Sequence, residues 1–155
     1  MGKEDIKNIL FVCTGNSCRS VMAEAYFRKR IHEGDLPFEV RSAGTMGIDG
    51  MLPPENTIKT LDNEGVDSRG YASTGFTDDL GHWADIILVM EPMHKKAIAE
   101  ISPESVEKVF FLRQFSGDAD MFMVPDPVGR SMGYYKTSFD IIKRSIEGFL
   151  SWLKK

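Results

Sequence analysis

A chain of 155 residues is about one domain long and can bury most of its apolar surface in a single core. Its 42% hydrophobic and 27% charged residues are ordinary for a globular protein, and a net charge of −4 provides no basic footprint for nucleic acid. Residues 1–7 are polar and charged with no long apolar run behind them, so neither a signal peptide nor a membrane span is expected and the cytoplasm is the expected location.

Hydrophobic periodicity then orders the elements. Residues 9–12 read as a buried strand, 20–33 as an amphipathic helix stopped by Gly34, and 38–42 as a second strand. Pro53 and Pro54 precede a helix over 55–64 with Ile58 and Leu61 on one face and Gly65 past its end; 66–75 reads as loop. The nearly continuous apolar run 85–90 has the pattern of a strand covered on both faces. A helix from Pro92 or Met93 to Ile101 and a fourth strand over 108–112 follow. Residues 121–127 form a long irregular stretch of the kind that often carries function. The clearest helix spans 134–153, where Phe139, Ile142, Ile146, Phe149, Leu150 and Leu153 recur at spacings of three and four. Such alternation, without internal repeats, predicts one α/β domain over residues 1–155. Its form is a three-layer sandwich with a four-stranded parallel sheet, helices on both faces, and an anion-binding loop after the first strand.

That loop is Cys13-Thr14-Gly15-Asn16-Ser17-Cys18-Arg19-Ser20. Between a strand end and a helix start, successive backbone N–H groups converge and the helix dipole adds positive potential, which makes a cradle for an oxyanion such as phosphate. Arg19 can hold two phosphate oxygens with its planar fork, while the same field favours the thiolate of Cys13, a nucleophile aimed at phosphorus. A thiol and a guanidinium at this spacing also arise by chance, and Cys13 then reads as a buried structural cysteine. The strand-like run before the loop, the Gly-Asn turn inside it and the helix-forming residues after it favour the cradle. Two cysteines this close make a poor staple; in a reducing compartment Cys18 either traps an oxidised Cys13 as a reversible disulfide or simply fills space behind the loop. Asp126, flanked by Pro125 and Pro127, is a candidate proton donor to a leaving group, or equally an Asp whose carboxylate caps a local turn.

The block Val12 to Ser20 resembles the signature of the low molecular weight protein tyrosine phosphatases, V-C-x-G-N-x-C-R-S-P, with only the final Pro replaced, by Val21. The resemblance continues through Ser42-Ala43-Gly44-Thr45, residues 84–90 and Asp126-Pro127. It implies a phosphatase acting on phosphorylated proteins without metal or other cofactor. Cys13 would be nucleophile through a phosphocysteine, and Arg19 with the N–H groups of residues 14–19 would hold the phosphoryl oxygens. Asp126 would be acid and then base. Thr14, Gly15, Asn16, Ser17, Cys18 and Ser20 fall to the binding loop, with Ser20 donating to the Cys13 sulfur or capping the helix, and Asn16 shaping the loop through a positive φ. His32, His82 and His94 are scattered, and each is expected at the surface or at a helix end.

The departures concern the substrate. Family members acting on phosphotyrosine carry a bulky apolar residue at Ser17 and an aromatic one at Val128; Tyr134 and Tyr135 are expected to restore a wall. Phosphotyrosine is the first expectation. Phosphoarginine is the alternative, because Ser17 and the stretch 126–131 followed by Tyr135-Lys136-Thr137 resemble a bacterial protein arginine phosphatase subgroup. Tyr71 stands where many members have a His that buttresses the loop. A thioredoxin-coupled arsenate reductase is disfavoured because no cysteine follows Cys18, and a phosphocysteine carrier of a sugar transport system is disfavoured by Arg19 and Asp126. A monomer or weak dimer is expected, with no nucleic acid or membrane partner.

Overall fold

Four parallel strands form the sheet of the computed structural model, which describes residues 2–118 and 120–155. They are β1 (Asn8–Cys13), β2 (Glu39–Gly44), β3 (Ile86–Val89) and β4 (Val109–Phe111), in the order β2-β1-β3-β4. Between and after them run α1 (Arg19–Gly34), α2 (Glu55–Asp62), α3 (Asp78–Trp83), α4 (Pro92–Ile101) and α5 (Met132–Lys154). The chain leaves β1 first toward β2 and later toward β3, so strand order reverses at the C-terminal end of β1, where a doubly wound sheet opens its ligand crevice. Cys13 is the last residue of β1 and pairs in register with Gly44.

Strand alternation divides β1 between two cores. Ile9, Phe11 and Cys13 join the larger one, built with Phe27 of α1, Leu61 of α2 and Ile142, Ile146 and Phe149 of α5. Leu10 and Val12 join the smaller one, with Ala43, Ile87, Val89 and Ile98 of α4, against Leu80 and Trp83 of α3. The three-layer arrangement read from the sequence is the one observed, and five of the six expected apolar positions of α5 are buried, with Leu153 packed at the margin.

Differences are local. Gly34 stays helical and it is Asp35 that takes the left-handed conformation, φ 50°, as Leu36 N–H reaches back to the Ile31 carbonyl at 2.9 Å. The buried face of α2 carries Thr57, Thr60 and Leu61, with Ile58 only half-buried. Helix α3 carries no six-residue periodicity signal; its mark is Thr77, whose hydroxyl accepts the Leu80 N–H at 3.2 Å ahead of Asp78 and Asp79 in the first turn.

Candidate active site

After Cys13 the chain bends against Gly44, and a Cβ there would lie 2.7 Å from the Thr14 carbonyl oxygen and 2.8 Å from Asn16 N. No side chain fits at that position. The continuation of β2 fastens the bend, with Thr45 N–H donating to Cys13 O and Met46 N–H to Thr14 O, both at 2.9 Å. On the other side the Thr57 hydroxyl donates to the Ser17 carbonyl at 3.1 Å, which explains why α2 turns a threonine inward.

Asn16 turns the loop at φ 54° and is almost wholly buried. Its Oδ1 accepts the Thr74 N–H at 2.8 Å, which orients the amide so that Nδ2 donates to Ser20 at 2.7 Å and to Ser42 at 2.9 Å. Ser42 in turn donates to Glu24 at 2.5 Å, whose other oxygen is held by Arg28. Ser20 Oγ accepts from Asn16 and keeps its own proton, which can be donated to the Cys13 sulfur 2.9 Å away. Tyr71 closes this chain against Arg28, and burial followed by the charge of Glu24 pushes its phenol above the usual range. A tyrosine thus occupies the place of the expected buttressing His, and it supports the loop through Arg28 and Glu24.

Arg19, the first residue of α1, is 1% exposed. One guanidinium nitrogen, Nη1, donates to Glu91 at 2.5 Å and to the Val124 carbonyl at 2.9 Å; the other, Nη2, lies 3.4 Å from Thr14 Oγ1 and 3.6 Å from the Asp126 carboxylate. Asp126 Oδ1 also accepts the Val128 N–H at 3.1 Å. The turn reading of this aspartate is met, and the same turn holds the carboxylate that faces Arg19. The acid loop is itself anchored by Val124 N–H to Met90 O at 3.0 Å and by Ser138 Oγ to Pro125 O at 2.8 Å.

Above the thiol lies a cavity of about 190 Å³ lined by Cys13, Thr14, Gly15, Ser17, Cys18, Arg19, Met46, Ile48, Met51, Asp126 and Val128. Cys13, Arg19 and Asp126 converge there, as do Thr14, Gly15, Ser17, Cys18 and Val128 among the expected binding residues. Asn16 and Ser20 lie beneath the loop, outside the lining. Tyr134 and Tyr135 do not form a wall. Tyr135 belongs to the buried face of α5, with its hydroxyl 3.5 Å from Cys18 Sγ, while exposed Tyr134 stacks under the Arg130 guanidinium, 5.2 Å from the ring centre, away from the cavity. Helical geometry separates adjacent residues by 100°, so the two tyrosines cannot share one surface. Burial, then the contact with Cys18, pushes the Tyr135 phenol well above its ordinary range.

Sequence reasoning missed the Met46, Ile48 and Met51 wall, Glu91 and, above all, His94. His32 and His82 are exposed and His94, the third residue of α4, sits at a helix end, all as expected, but His94 is in addition fully buried. Its Nδ1 accepts the Glu91 N–H at 3.1 Å and its Nε2 meets Thr14 Oγ1 at 2.9 Å. Burial, then the Arg19 charge, lowers its pKa to about 4, against a smaller upward effect of Asp126, so the ring is neutral. The available signal was the spacing Glu91 to His94 across Pro92 at a helix start, the pattern of a reciprocal cap.

Residues 8–155 match the family described as low molecular weight phosphotyrosine protein phosphatase. A protein-arginine-phosphatase of Bacillus subtilis (strain 168) is 33% identical over 152 residues, covering 96% of this chain and 97% of its own. A low molecular weight protein-tyrosine-phosphatase, Etp, of Escherichia coli (strain K12) is 30% identical, covering 100% and 98%. Among solved structures, the YwlE arginine phosphatase, in a mutant with a phosphorylated active-site serine, superposes with a TM-score of 0.89 at 32% identity, over 96% of each chain. Full-length agreement of sequence and fold with enzymes of one reaction class makes this chain a member of the low molecular weight phosphotyrosine protein phosphatase family, a hydrolase that works through a cysteine.

Proposed function

We propose that Cys13, Arg19 and Asp126 carry the reaction and that its substrate is a protein bearing phosphoarginine. The Cys13 thiolate attacks phosphorus in line while the bond from phosphorus to the leaving atom breaks, and Asp126 delivers a proton to that atom. Arg19 and the loop N–H groups hold the three equatorial oxygens. In the second step Asp126 takes a proton from water as it attacks phosphocysteine, and the sulfur leaves into the Ser20 hydrogen bond. The shared cavity lining of Cys13, Arg19 and Asp126 and the 2.9 Å contact of Ser20 with sulfur support these assignments.

The observation that carries the substrate class is the cavity lining, which has no aromatic side chain among the described residues and places Ser17 on the wall. A slender aliphatic stem ending in a phosphoguanidine fits such a slot, with the hydroxyl of Ser17, otherwise 3.7 Å from Cys18 Sγ, able to accept from its N–H groups. A second reading, phosphotyrosine, draws on Met46, Ile48 and Met51, since methionine sulfur packs favourably on ring edges. Hydrolysis of phosphoarginine and phosphotyrosine peptides by the wild type and by Ser17→Ile separates the two. The expected result is a wild-type preference for phosphoarginine that moves toward phosphotyrosine in the variant; an unchanged ratio leaves Ser17 structural. Phosphate released in many turnovers from an aryl phosphate excludes a carrier, which would stop after one stoichiometric phosphorylation. The two free thiols fit a reducing compartment, the cytoplasm, and no described helix is long and apolar enough to cross a membrane. Monomer or weak dimer stands as our proposal for the assembly.

A further inference from the structure

We infer that His94 is a positioning residue that turns the Thr14 hydroxyl into one more hydrogen-bond donor for the transferring phosphoryl group. The inference rests on the catalytic assignment of Cys13 and Arg19 above.

Proton counting leads to it. The His94 Nδ1 accepts a backbone N–H, that of Glu91 at 3.1 Å, so in the neutral ring the single proton resides on Nε2. Nε2–H must then donate to Thr14 Oγ1, 2.9 Å away. Arg19 has only donors, and its Nη2 also approaches Thr14 Oγ1, at 3.4 Å. A hydroxyl oxygen has two lone pairs and one proton. With both lone pairs addressed by groups that can only donate, the Thr14 O–H cannot point toward either of them. Among the described residues no acceptor meets it, and Thr14 lines the cavity over Cys13. The remaining direction is the space that the phosphoryl oxygens occupy.

The same first turn of α4 holds both members of the pair. Glu91, the cap, fixes Nη1 of Arg19 at 2.5 Å, and His94, three residues on, fixes Thr14 beside Nη2. The hydroxyl and Nη2 of the guanidinium are thereby set side by side before substrate arrives, and preorganised donors of this kind stabilise charge as it develops. A phenylalanine or leucine at position 94 would fill the space but leave the Thr14 proton free to turn away and the Glu91 N–H without an acceptor.

The test compares Thr14→Val, His94→Leu, the double variant and His94→Gln, in which the glutamine amide can replace the Nε2 donor. Readouts are kcat/KM on an aryl phosphate and inhibition by vanadate, which mimics the five-coordinate transition state, and by inorganic phosphate. A hydrogen bond to a charged group implies a loss on the order of tenfold to a hundredfold in kcat/KM for each single variant. Vanadate affinity should fall by a similar factor and phosphate affinity by a few-fold only. The double variant should be no worse than either single one, because both remove the same donor, and His94→Gln should recover most of the activity. Thr14→Val within about twofold of wild type, or multiplicative losses in the double variant, would overturn the inference. Should His94→Leu fail to fold, Thr14→Val and its vanadate-to-phosphate split decide alone. Wild-type turnover with unaffected variants sinks the inference and leaves the phosphatase mechanism standing; absence of wild-type turnover sinks both.

Discussion

The two sides of the active-site cavity are built on opposite principles. The floor, from Cys13 to Ser20, is backed by buried polar groups: Asn16, Ser20, Ser42, His94 and Arg19 are each no more than 9% exposed, and each is held by at least one hydrogen bond. The rim is exposed and apolar, with Met46 at 59%, Met51 at 49% and Val128 at 54%. Groups that must stay within tenths of an ångström of reacting atoms are held by directional bonds in a low dielectric, where a lost partner is costly. Groups that only exclude water and choose a side chain can be flexible and loosely packed. On the proposed assignment of Cys13, Arg19 and Asp126, reaction and specificity are separable in this molecule, and mutations on the two sides should fail differently.

The floor should break hardest. Cys13→Ser is expected to abolish turnover while phosphate still binds; calorimetry with phosphate beside a turnover assay checks it, and residual turnover would refute nucleophilic catalysis. Asp126→Asn keeps the turn to Val128 but removes the transferable proton, so kcat should fall about 10²- to 10⁴-fold. That loss should shrink on esters with leaving groups acidic enough to depart unaided, whereas a purely structural aspartate would show equal losses on all esters. Gly44→Ala places a methyl 2.7 Å from the Thr14 carbonyl, so the loop must move. We expect about 1–3 kcal/mol lost in urea unfolding and a weaker grip on phosphate.

The floor is also where acid should act on stability. His94 titrates at about 4 in the folded protein and near 6.5 unfolded. A depressed histidine contributes its stability in full above pH 6.5, and that contribution disappears as pH falls toward 4, because protons then bind the unfolded chain preferentially. Roughly 3 kcal/mol should be lost across this window from this residue. His94→Gln, which carries no titrating group, should flatten that part of the pH–stability curve; an unaltered slope would place the titration elsewhere.

Legibility follows the same division. The order of the strands and of every helix but α3, and the cradle of Cys13 and Arg19, were readable because they depend on local patterns: apolar periodicity, a Gly-Asn turn, and a fixed spacing within one loop. Asp126 was readable through its prolines and through the resemblance. His94 was placed at a helix end, but its burial was not readable, because it depends on which face of α4 meets the loop after β1, a contact between residues 80 positions apart. Tyr135 was misplaced although its own helix held the answer, since it lies four residues before Phe139 on the stripe already assigned to the core. The methionine wall had no signal of its own. Residues 46–51 have no apolar period, and only the pairing of β2 with β1, extended by Met46 N–H to Thr14 O, brings them over the thiol.

The rim should give the smallest and most selective effects. Met46→Ser with Met51→Ser removes two flexible apolar side chains from the mouth without touching any of the hydrogen bonds that hold Cys13, Arg19 or Asp126. Both side chains are already about half exposed or more, so stability should change by less than about 0.5 kcal/mol. Hydrolysis of a small aryl phosphate, whose chemistry rests on the floor, should stay within about threefold of wild type, since only partial apolar contact is lost. Phosphopeptides reach farther out and should lose about tenfold in kcat/KM, mainly through KM, the signature of binding shared by ground and transition states. Equal losses on small and large substrates would mean that the rim steers the loop beneath it, and the separation of reaction from specificity would not hold.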